Sequence, residues 1–149
     1  MSVANGTSLK VIFENSPSSA GTFVGQTVLG GFSVYDTITA FATLTGGTGG
    51  SLDVVIEGSF DGINFFERVR FKSVPAATTD VQSATVVLGD KVTQIGKSSL
   101  SSPGSNILGA GVVAHGHWGE FLHLKFIAGA GTSAGALQEV QLAGTISKR

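Results

Sequence analysis

Alternation of apolar and polar residues with a period of two is the feature that most constrains this chain. Apolar residues stand at even positions in two neighbouring segments, Ile38, Ala40, Ala42 and Leu44 in the first and Leu52, Val54, Ile56 and Phe60 in the second. Polar residues, among them Asp53 and Glu57, stand between them. This period is that of a β-strand with one buried face, and no long apolar stripe has helical spacing. We therefore expect an all-β protein.

Glycine-containing turns predict that these strands form a three-stranded meander over residues 34–72. The first turn is TGGTGGS at residues 45–51, which supplies the backbone freedom that a tight hairpin needs. A hairpin centred on Thr48 places Leu44 opposite Leu52 on the buried side.

The second turn of this meander begins with Asp61-Gly62, a strong hairpin signal. A four-residue loop at this turn places Ile56 opposite Val69 in the core. The same register sets two ion pairs on the outer face, Glu57 with Arg68 and Asp53 with Lys72. Opposite charges across a strand pair stabilise it by about 0.2–1 kcal/mol, so one register satisfies both the core and the charges.

Further strands are expected on either side of the meander, at residues 9–14, 22–29, 81–88, 107–113, 118–127 and 137–147. The last two flank a turn rich in Gly and Ala at residues 128–135. One hairpin register there places Leu124 opposite Val140 and Lys125 opposite Glu139, and a register shifted by two residues is the alternative.

This spacing of eight or nine short strands predicts a single antiparallel β-sandwich that is jelly-roll-like. We assign residues 18–149 to the sandwich and residues 1–17 to an N-terminal arm, polar at first and then strand-forming, that could reach a neighbouring molecule. Residues 96–106 are predicted to be a mobile surface loop because Ser, Gly and Pro dominate them. No shift in composition indicates a second domain.

Composition excludes several classes of protein. The chain has 149 residues, of which 42% are hydrophobic and 13% are charged, and disorder requires the opposite balance. A net charge of −1 gives no electrostatic reason to expect nucleic acid or an anionic membrane as a partner. The absence of cysteine excludes disulfides and thiol catalysis. With no signal peptide or membrane span in the sequence, we expect synthesis in the cytoplasm.

The three histidines form the one pattern that suggests a metal. His115 and His117 would share one face of a strand, about 6–7 Å apart, and with Gly109 and Glu120 they partly resemble the first motif of the cupins. However, Glu120 has the wrong parity to join them, and His123 lies about 20 Å along the strand from His117. We interpret the histidines as surface or interface residues, with a metal at His115 and His117 as the alternative.

No other motif indicates catalysis, so we assign no catalytic, cofactor-binding or metal residue. Asp53 and Glu57 share a face but lie about 13 Å apart, farther than the ~5–9.5 Å between glycosidase carboxylates, and we interpret them as exposed ion pairs. The glycines at residues 46–50 lack the Lys-Ser/Thr of a P-loop. A carbohydrate-binding module remains an alternative, although we expect Tyr35 and Trp118, the only Tyr and Trp, to be buried.

Several segments resemble small structural proteins of tailed bacteriophages. They are Asp36-Thr37-Ile38, GGTGGSLDVVIEGSFDG at Gly46–Gly62, Phe65-Phe66, Val69-Arg70-Phe71, and the closing segment His117–Gly144. These proteins carry a similar glycine-rich hairpin and a Ser-x-Asp-Gly turn followed by an aromatic residue. The resemblance covers about half of the chain and consists of turn and strand signatures.

This resemblance implies a function that composition alone does not indicate. It implies a non-enzymatic virion protein, a capsid decoration or cement protein that binds the major capsid protein and stabilises the assembled head. Such a protein is expected on the outer capsid surface as a homo-oligomer, with a homotrimer favoured. The alternatives within the same class are a neck, tail or head-fibre protein.

Overall fold

The computed structural model describes residues 6–87, 111–114 and 117–146. Within these ranges the chain forms nine strands and one 3-10 turn at Phe32–Val34. The strands are β1 (Gly6–Asn15), β2 (Gly21–Val24), β3 (Thr37–Thr45), β4 (Leu52–Ser59), β5 (Phe66–Arg70), β6 (Thr79–Val87), β7 (Val112–Val113), β8 (Phe121–Ala128) and β9 (Leu137–Ile146). The expected all-β class is confirmed.

The described strands form two antiparallel sheets, with the orders β1-β9-β3-β6 and β2-β8-β4-β5-β7. The partners are nested along the chain: β1 pairs with β9, β2 with β8, β3 with β6, and β4 with β5. A long hairpin wrapped into two layers gives this nesting, which is the arrangement of a jelly roll. The predicted jelly-roll-like sandwich is therefore confirmed.

The predicted meander at residues 34–72 is wrong in its first half, because β3 and β4 belong to different sheets. Leu44 and Leu52 are both buried, but they reach the core from opposite layers. A hairpin and a connection between two layers both turn the apolar sides of consecutive strands towards one core, so alternation does not distinguish them. The glycine-rich connection packs on another loop, since a Cβ at Gly47 would overlap the carbonyl oxygen of Ala134.

The predicted closing hairpin is wrong for the same reason. β8 pairs with β2 and β4, whereas β9 pairs with β1 and β3. Lys125 and Glu139 therefore lie in different sheets, although Leu124 and Val140 both reach the core as expected. In a nested arrangement only the innermost pair of strands, here β4 and β5, is joined by a hairpin.

The hairpin of β4 and β5 is confirmed, but its register changes partway. Ile56 lies opposite Val69 as predicted. The next position of β4, Glu57, lies opposite Glu67 and not Arg68, because a β-bulge inserts one extra residue into β5. Arg68 is that extra residue, so the predicted pair of Glu57 with Arg68 is wrong. A bulge leaves its extra residue unpaired in the ladder and redirects its side chain.

Four of the remaining predicted strands, β1, β6, β8 and β9, are confirmed with small shifts of their ends. The strand expected at residues 22–29 ends at Val24, and beyond it Leu29 makes only an isolated bridge to Leu122. Of the strand expected at residues 107–113, the described part contains the short strand β7. The predicted loop at residues 96–106 lies outside the described residues.

Part of the predicted N-terminal arm lies in the sandwich. Residues 6–15 form β1, which pairs with β9 over its full length at the edge of the four-stranded sheet. Whether the segment of residues 1–17 also reaches a neighbouring molecule stays a prediction.

The core fills the space between the two sheets with the even-numbered residues of β3, β4, β8 and β9, together with Val69 of β5. Its largest fully buried side chains include Trp118, Phe32, Ile12, Ile38, Leu44, Ile56, Leu122, Leu124 and Leu142. The expected burial of the only Tyr and the only Trp is confirmed, since Tyr35 is 8% exposed and Trp118 is 1% exposed. Gly144 makes room for Tyr35, because a Cβ there would overlap the tyrosine ring.

Candidate functional site

Each sheet of the sandwich has an outer face, and the two outer faces differ in chemistry. We call the outer face of the five-stranded sheet the charged face; it carries Asp53, Val55, Glu57, Glu67, Arg70, His123 and Lys125. We call the outer face of the four-stranded sheet the neutral face; it carries Leu9, Val11, Phe13, Thr39, Phe41, Thr43, Val81, Ser83, Thr85, Glu139, Gln141 and Ala143.

A continuous ion-pair network covers the charged face. Its contacts are Arg70 Nη2 to Asp53 Oδ2 (2.8 Å), Arg70 Nη1 to Glu67 Oε1 (3.6 Å), Lys125 Nζ to Glu67 Oε2 (2.6 Å), Lys125 Nζ to Glu57 Oε2 (2.9 Å) and His123 Nε2 to Glu57 Oε1 (2.8 Å). Beneath the network, Val55 is 0% exposed and lies opposite both Arg70 and Lys125. The aliphatic stems of these two side chains account for that burial.

The network shifts the pKa values of two of its members, Glu57 and Lys125. Burial opposes the charged form of Glu57, but hydrogen bonds from His123 and Lys125 outweigh it and hold the pKa of that carboxyl below its usual value. Burial also opposes the charged form of Lys125, while its hydrogen bonds to Glu67 and Glu57 raise the pKa of that ammonium group. These groups stabilise one another in their charged forms. The ion pairs link β4, β5 and β8, so the arrangement is suited to holding this sheet together.

The structure corrects two expectations about the charged residues. Asp53 and Glu57 are ion-paired, as predicted, but Asp53 pairs with Arg70 and not Lys72, and Glu57 is buried rather than exposed. The expectation that His123 lies at the surface is also wrong, because it is 5% exposed.

His123 is a buried imidazole that contacts Phe65 and Glu57. The Phe65 ring stacks on it with centroids 3.8 Å apart, and its Nε2 donates to Glu57, since a carboxylate can only accept. His117 is exposed, and His115 lies outside the described residues. The part of the chain that the structure describes contains no group of three or more His, Asp or Glu that could hold a metal ion.

The neutral face exposes several large apolar side chains and carries little charge. Leu9 is 62% exposed, Phe13 58%, Phe41 51% and Val81 76%. Threonines line the strands between them, and Thr39 Oγ1 lies 3.1 Å from Thr85 Oγ1 across β3 and β6. The single acidic residue among the outward positions named above is Glu139, which accepts a hydrogen bond from Gln141. Exposure of large apolar side chains on one weakly charged face is compatible with an interaction surface.

The edge of the neutral face is equally open. β6 is one of the two edge strands of this sheet, and its nine residues contain one charge, Asp80, and no proline. Natural sheets protect free edges with lysines, prolines, bulges or covering segments. Among the described residues none of the first three devices is present on β6, so this edge is compatible with pairing to another strand.

A third feature is a groove at the end of β4 and β8, which we call the Trp118 groove. It encloses about 660 Å³ and is lined by Gly58, Ser59, Phe60, Asp61, Asn64, Phe66, Arg68, His117 and Trp118. Gly58 allows the chain to cross here, because a Cβ would overlap the carbonyl oxygen of Trp118. Hydrogen bonds from the backbone of Asn64 and Ile63, and from side chains of Asn64 and Ser59, hold the pKa of Asp61 well below its usual value.

Comparison with family models, with curated proteins and with solved structures finds no match to this chain. Among the described residues, no helix has the length and apolar character needed to cross a membrane. The function is therefore inferred from the two outer faces, the Trp118 groove and the sequence resemblance described above.

Sequence reasoning missed both the network and the neutral face, although their residues carry a visible signal. His123 and Lys125 stand at odd positions among the apolar Leu122, Leu124 and Phe126, which places them together on an outer face. Phe41 likewise stands at an odd position between inward-facing alanines. An aromatic residue on the polar side of an alternating strand is a signal for an exposed contact surface.

Proposed function

We propose that this chain is a non-catalytic structural protein that docks through its neutral face on a larger protein assembly. The observation that carries the proposal is the exposure of Leu9, Phe13, Phe41 and Val81 on one nearly uncharged sheet face. Monomeric soluble proteins rarely leave a broad apolar patch in water, because burying it against a partner is favourable.

The neutral face has a suitable size for such a contact. Four strands spaced about 4.8 Å apart, each extending about 30 Å over nine residues, cover an area on the order of 600 Å². A standard protein–protein interface buries about 800 Å² on each partner. The face and its open edge together therefore supply most of one such interface.

Within this proposal, the partner is the major capsid protein of a tailed bacteriophage, and the chain is a capsid decoration protein on the outer surface of the head. The resemblance of the segment at residues 46–62 to small phage structural proteins supports this assignment. A decoration protein that binds only the assembled shell shifts the assembly equilibrium towards the shell. The low charge of the neutral face agrees with a contact made by packing and β-edge pairing.

A homotrimer is the favoured form of the proposed decoration protein. A neck, tail or head-fibre protein is the nearest alternative, because the same face would serve either role. The structure does not favour a carbohydrate-binding module, since Tyr35 and Trp118, the only Tyr and Trp, are buried and form no exposed aromatic platform.

The proposal is tested on purified phage heads prepared with and without the protein. We expect decorated heads to resist higher temperatures and chaotrope concentrations than bare heads, and added protein to restore that resistance until its sites are saturated. Equal resistance together with no binding would overturn the proposal. A mass-spectrometric inventory of the particle separates the alternatives, since a decoration protein is present in hundreds of copies and a connector in a single small ring.

A further inference from the structure

The Trp118 groove contains an arginine, Arg68, that forms no ion pair with any described residue. Arg68 is partly buried, its Nε donates to the carbonyl of Phe66 at 3.4 Å, and its guanidinium lies 5.9 Å from the Phe66 ring centroid. Within the described ranges, the guanidinium forms no ion pair with a carboxylate. Burial lowers the pKa of Arg68, which reflects a charged group held away from water.

The contrast with Arg70, two residues further along β5, shows that this lack of a partner is local. Arg70 binds both Asp53 and Glu67. The bulge in β5 separates the two arginines: it brings Glu67 to the charged face beside Arg70 and turns the extra residue Arg68 towards the groove. The residue predicted from the sequence to pair with Arg68 is Glu57, and it is bound instead by Lys125 and His123.

The remaining lining of the groove is mostly apolar. Phe60 is 66% exposed, and its ring centroid lies 6.3 Å from that of His117. Phe66 and Trp118 form other parts of the wall. Asp61 is the one carboxylate in the lining, and both of its oxygens already accept hydrogen bonds within its own turn, from Ser59, Ile63 and Asn64.

We propose that the Trp118 groove binds an extended segment of a partner protein in which an acidic side chain stands next to an aromatic or branched apolar one. The carboxylate of that segment binds the guanidinium of Arg68, and the apolar neighbour packs against Phe60 and Phe66. A guanidinium presents parallel N–H groups that match a carboxylate, and a pair of this kind is strengthened in a desolvated groove.

The charge of the groove favours a carboxylate over a phosphate. Arg68 supplies one positive charge, and Asp61 supplies a nearby negative one. A phosphate with two negative charges would be repelled by Asp61 and attracted by only one cation, Arg68. A carboxylate carries a single negative charge, which Arg68 alone can neutralise. This inference does not rest on docking through the neutral face, because the groove lies at the end of the other sheet.

The test is titration of the full-length protein with two blocked tetrapeptides, Ac-Ala-Glu-Phe-Ala-NH2 and Ac-Ala-Gln-Phe-Ala-NH2, followed by NMR chemical shifts. We expect the peptide with Glu to bind at least about tenfold more tightly, since a charged hydrogen bond is worth about 1.5–3 kcal/mol. The shifts should map to residues of the groove. Equal binding of the two peptides, or no binding of either at millimolar concentration, overturns the proposal.

Matched variants identify the residue responsible. Arg68→Gln should lose the preference for Glu, whereas Lys72→Gln, which removes the same charge from an exposed lysine outside the groove, should keep it. Retention of the preference in Arg68→Gln contradicts the proposal. If that variant does not fold, Phe60→Ser, which changes an exposed ring, should weaken both peptides several-fold, and unchanged affinity counts against the proposal.

Two further experiments distinguish a partner segment from other possible occupants of the groove, a phosphate and a segment of this chain. Inorganic phosphate should displace the peptide poorly, and displacement at concentrations below those of the peptide would favour a phosphate site and overturn the proposal. Outside the described ranges the chain has one acidic side chain, Asp90. The variant Asp90→Asn should bind the peptide with unchanged affinity; a gain of tenfold or more would show that this chain fills its own groove, which overturns a partner segment as the occupant.

Discussion

The charged face and the neutral face use the same strand geometry in opposite ways. On the charged face, Glu57 and Glu67 are almost completely buried, and cations of neighbouring strands bind each of them. On the neutral face, Phe41 and Val81 are exposed, and no described residue covers them. The charged groups of one outer face are therefore paired within the fold, while large apolar groups of the other are exposed to solvent.

This difference between the two faces also determines where single substitutions should destabilise the sandwich. An ion pair that is mostly buried contributes little over a well-packed apolar alternative, but removing one partner leaves the other charge buried and uncompensated. The charged face is therefore sensitive to single substitutions. The apolar side chains of the neutral face are already exposed to water. Single substitutions there should therefore leave the free energy of unfolding of the protein nearly unchanged.

Deleting the central cation of the charged face should have the largest effect. Lys125→Ala leaves the carboxylates of Glu57 and Glu67 facing each other without their shared ammonium group, and we expect it to lower the free energy of unfolding by about 3–5 kcal/mol. Urea denaturation measures this change. Lys72→Ala, at an exposed lysine outside the network, serves as the control and should change stability by less than about 0.5 kcal/mol. Equal effects of the two variants would show that the network does not stabilise the fold.

A smaller effect should appear as a pH dependence of stability. The pKa of Glu57 is lowered in the folded state, so its contribution is present above the unfolded value of 4.5 and is lost as pH falls towards the folded pKa. The pKa of Lys125 is raised, so its contribution is present below 10.5 and is lost at higher pH. Thermal unfolding across pH should therefore show a plateau with two declining limbs.

The variant Glu57→Gln isolates the acid limb of that profile. It removes the carboxyl while keeping its shape, so we expect the decline in stability below pH 4.5 to become shallower. Other carboxylates with lowered pKa, such as Glu120, still contribute to the remaining slope. An acid limb identical to that of the unmodified protein would contradict the role assigned to Glu57.

The smallest effect on folding is expected on the neutral face. Phe41→Thr and Val81→Thr retain strand propensity at exposed positions, and each should change the free energy of unfolding by less than about 0.5 kcal/mol. Chemical denaturation of both variants measures this. A loss above 2 kcal/mol would mean that the neutral face packs against part of its own chain and is not available for docking.

The strands and their buried sides could be predicted from the sequence, but most of their partners could not. Alternation at Ile38–Leu44 and at Leu52–Ile56 identifies both strands and their inward residues. It does not identify the neighbour, because consecutive strands face one core whether they pair in one sheet or lie in two. The hairpin at Asp61-Gly62 was predictable, since its local turn chemistry decides it.

The candidate sites depend on features that a single sequence conceals. The charged face requires β8 beside β4, which brings His123 and Lys125 to Glu57 from more than sixty residues away. The position of Arg68 requires a bulge, which one additional residue in β5 creates without a distinctive local motif. Long-range pairing, rather than the chemistry of any segment, determines both.

Binding to assembled phage heads tests the central claim, that the neutral face is the docking surface, most directly. We compare co-sedimentation of the unmodified protein with that of Phe41→Asp and of Ile63→Asp, which adds the same charge at a residue that is 81% exposed and lies in the turn between β4 and β5. The account predicts that Ile63→Asp binds like the unmodified protein and that Phe41→Asp, while still folded, binds at least tenfold more weakly. Undiminished binding by folded Phe41→Asp would contradict it.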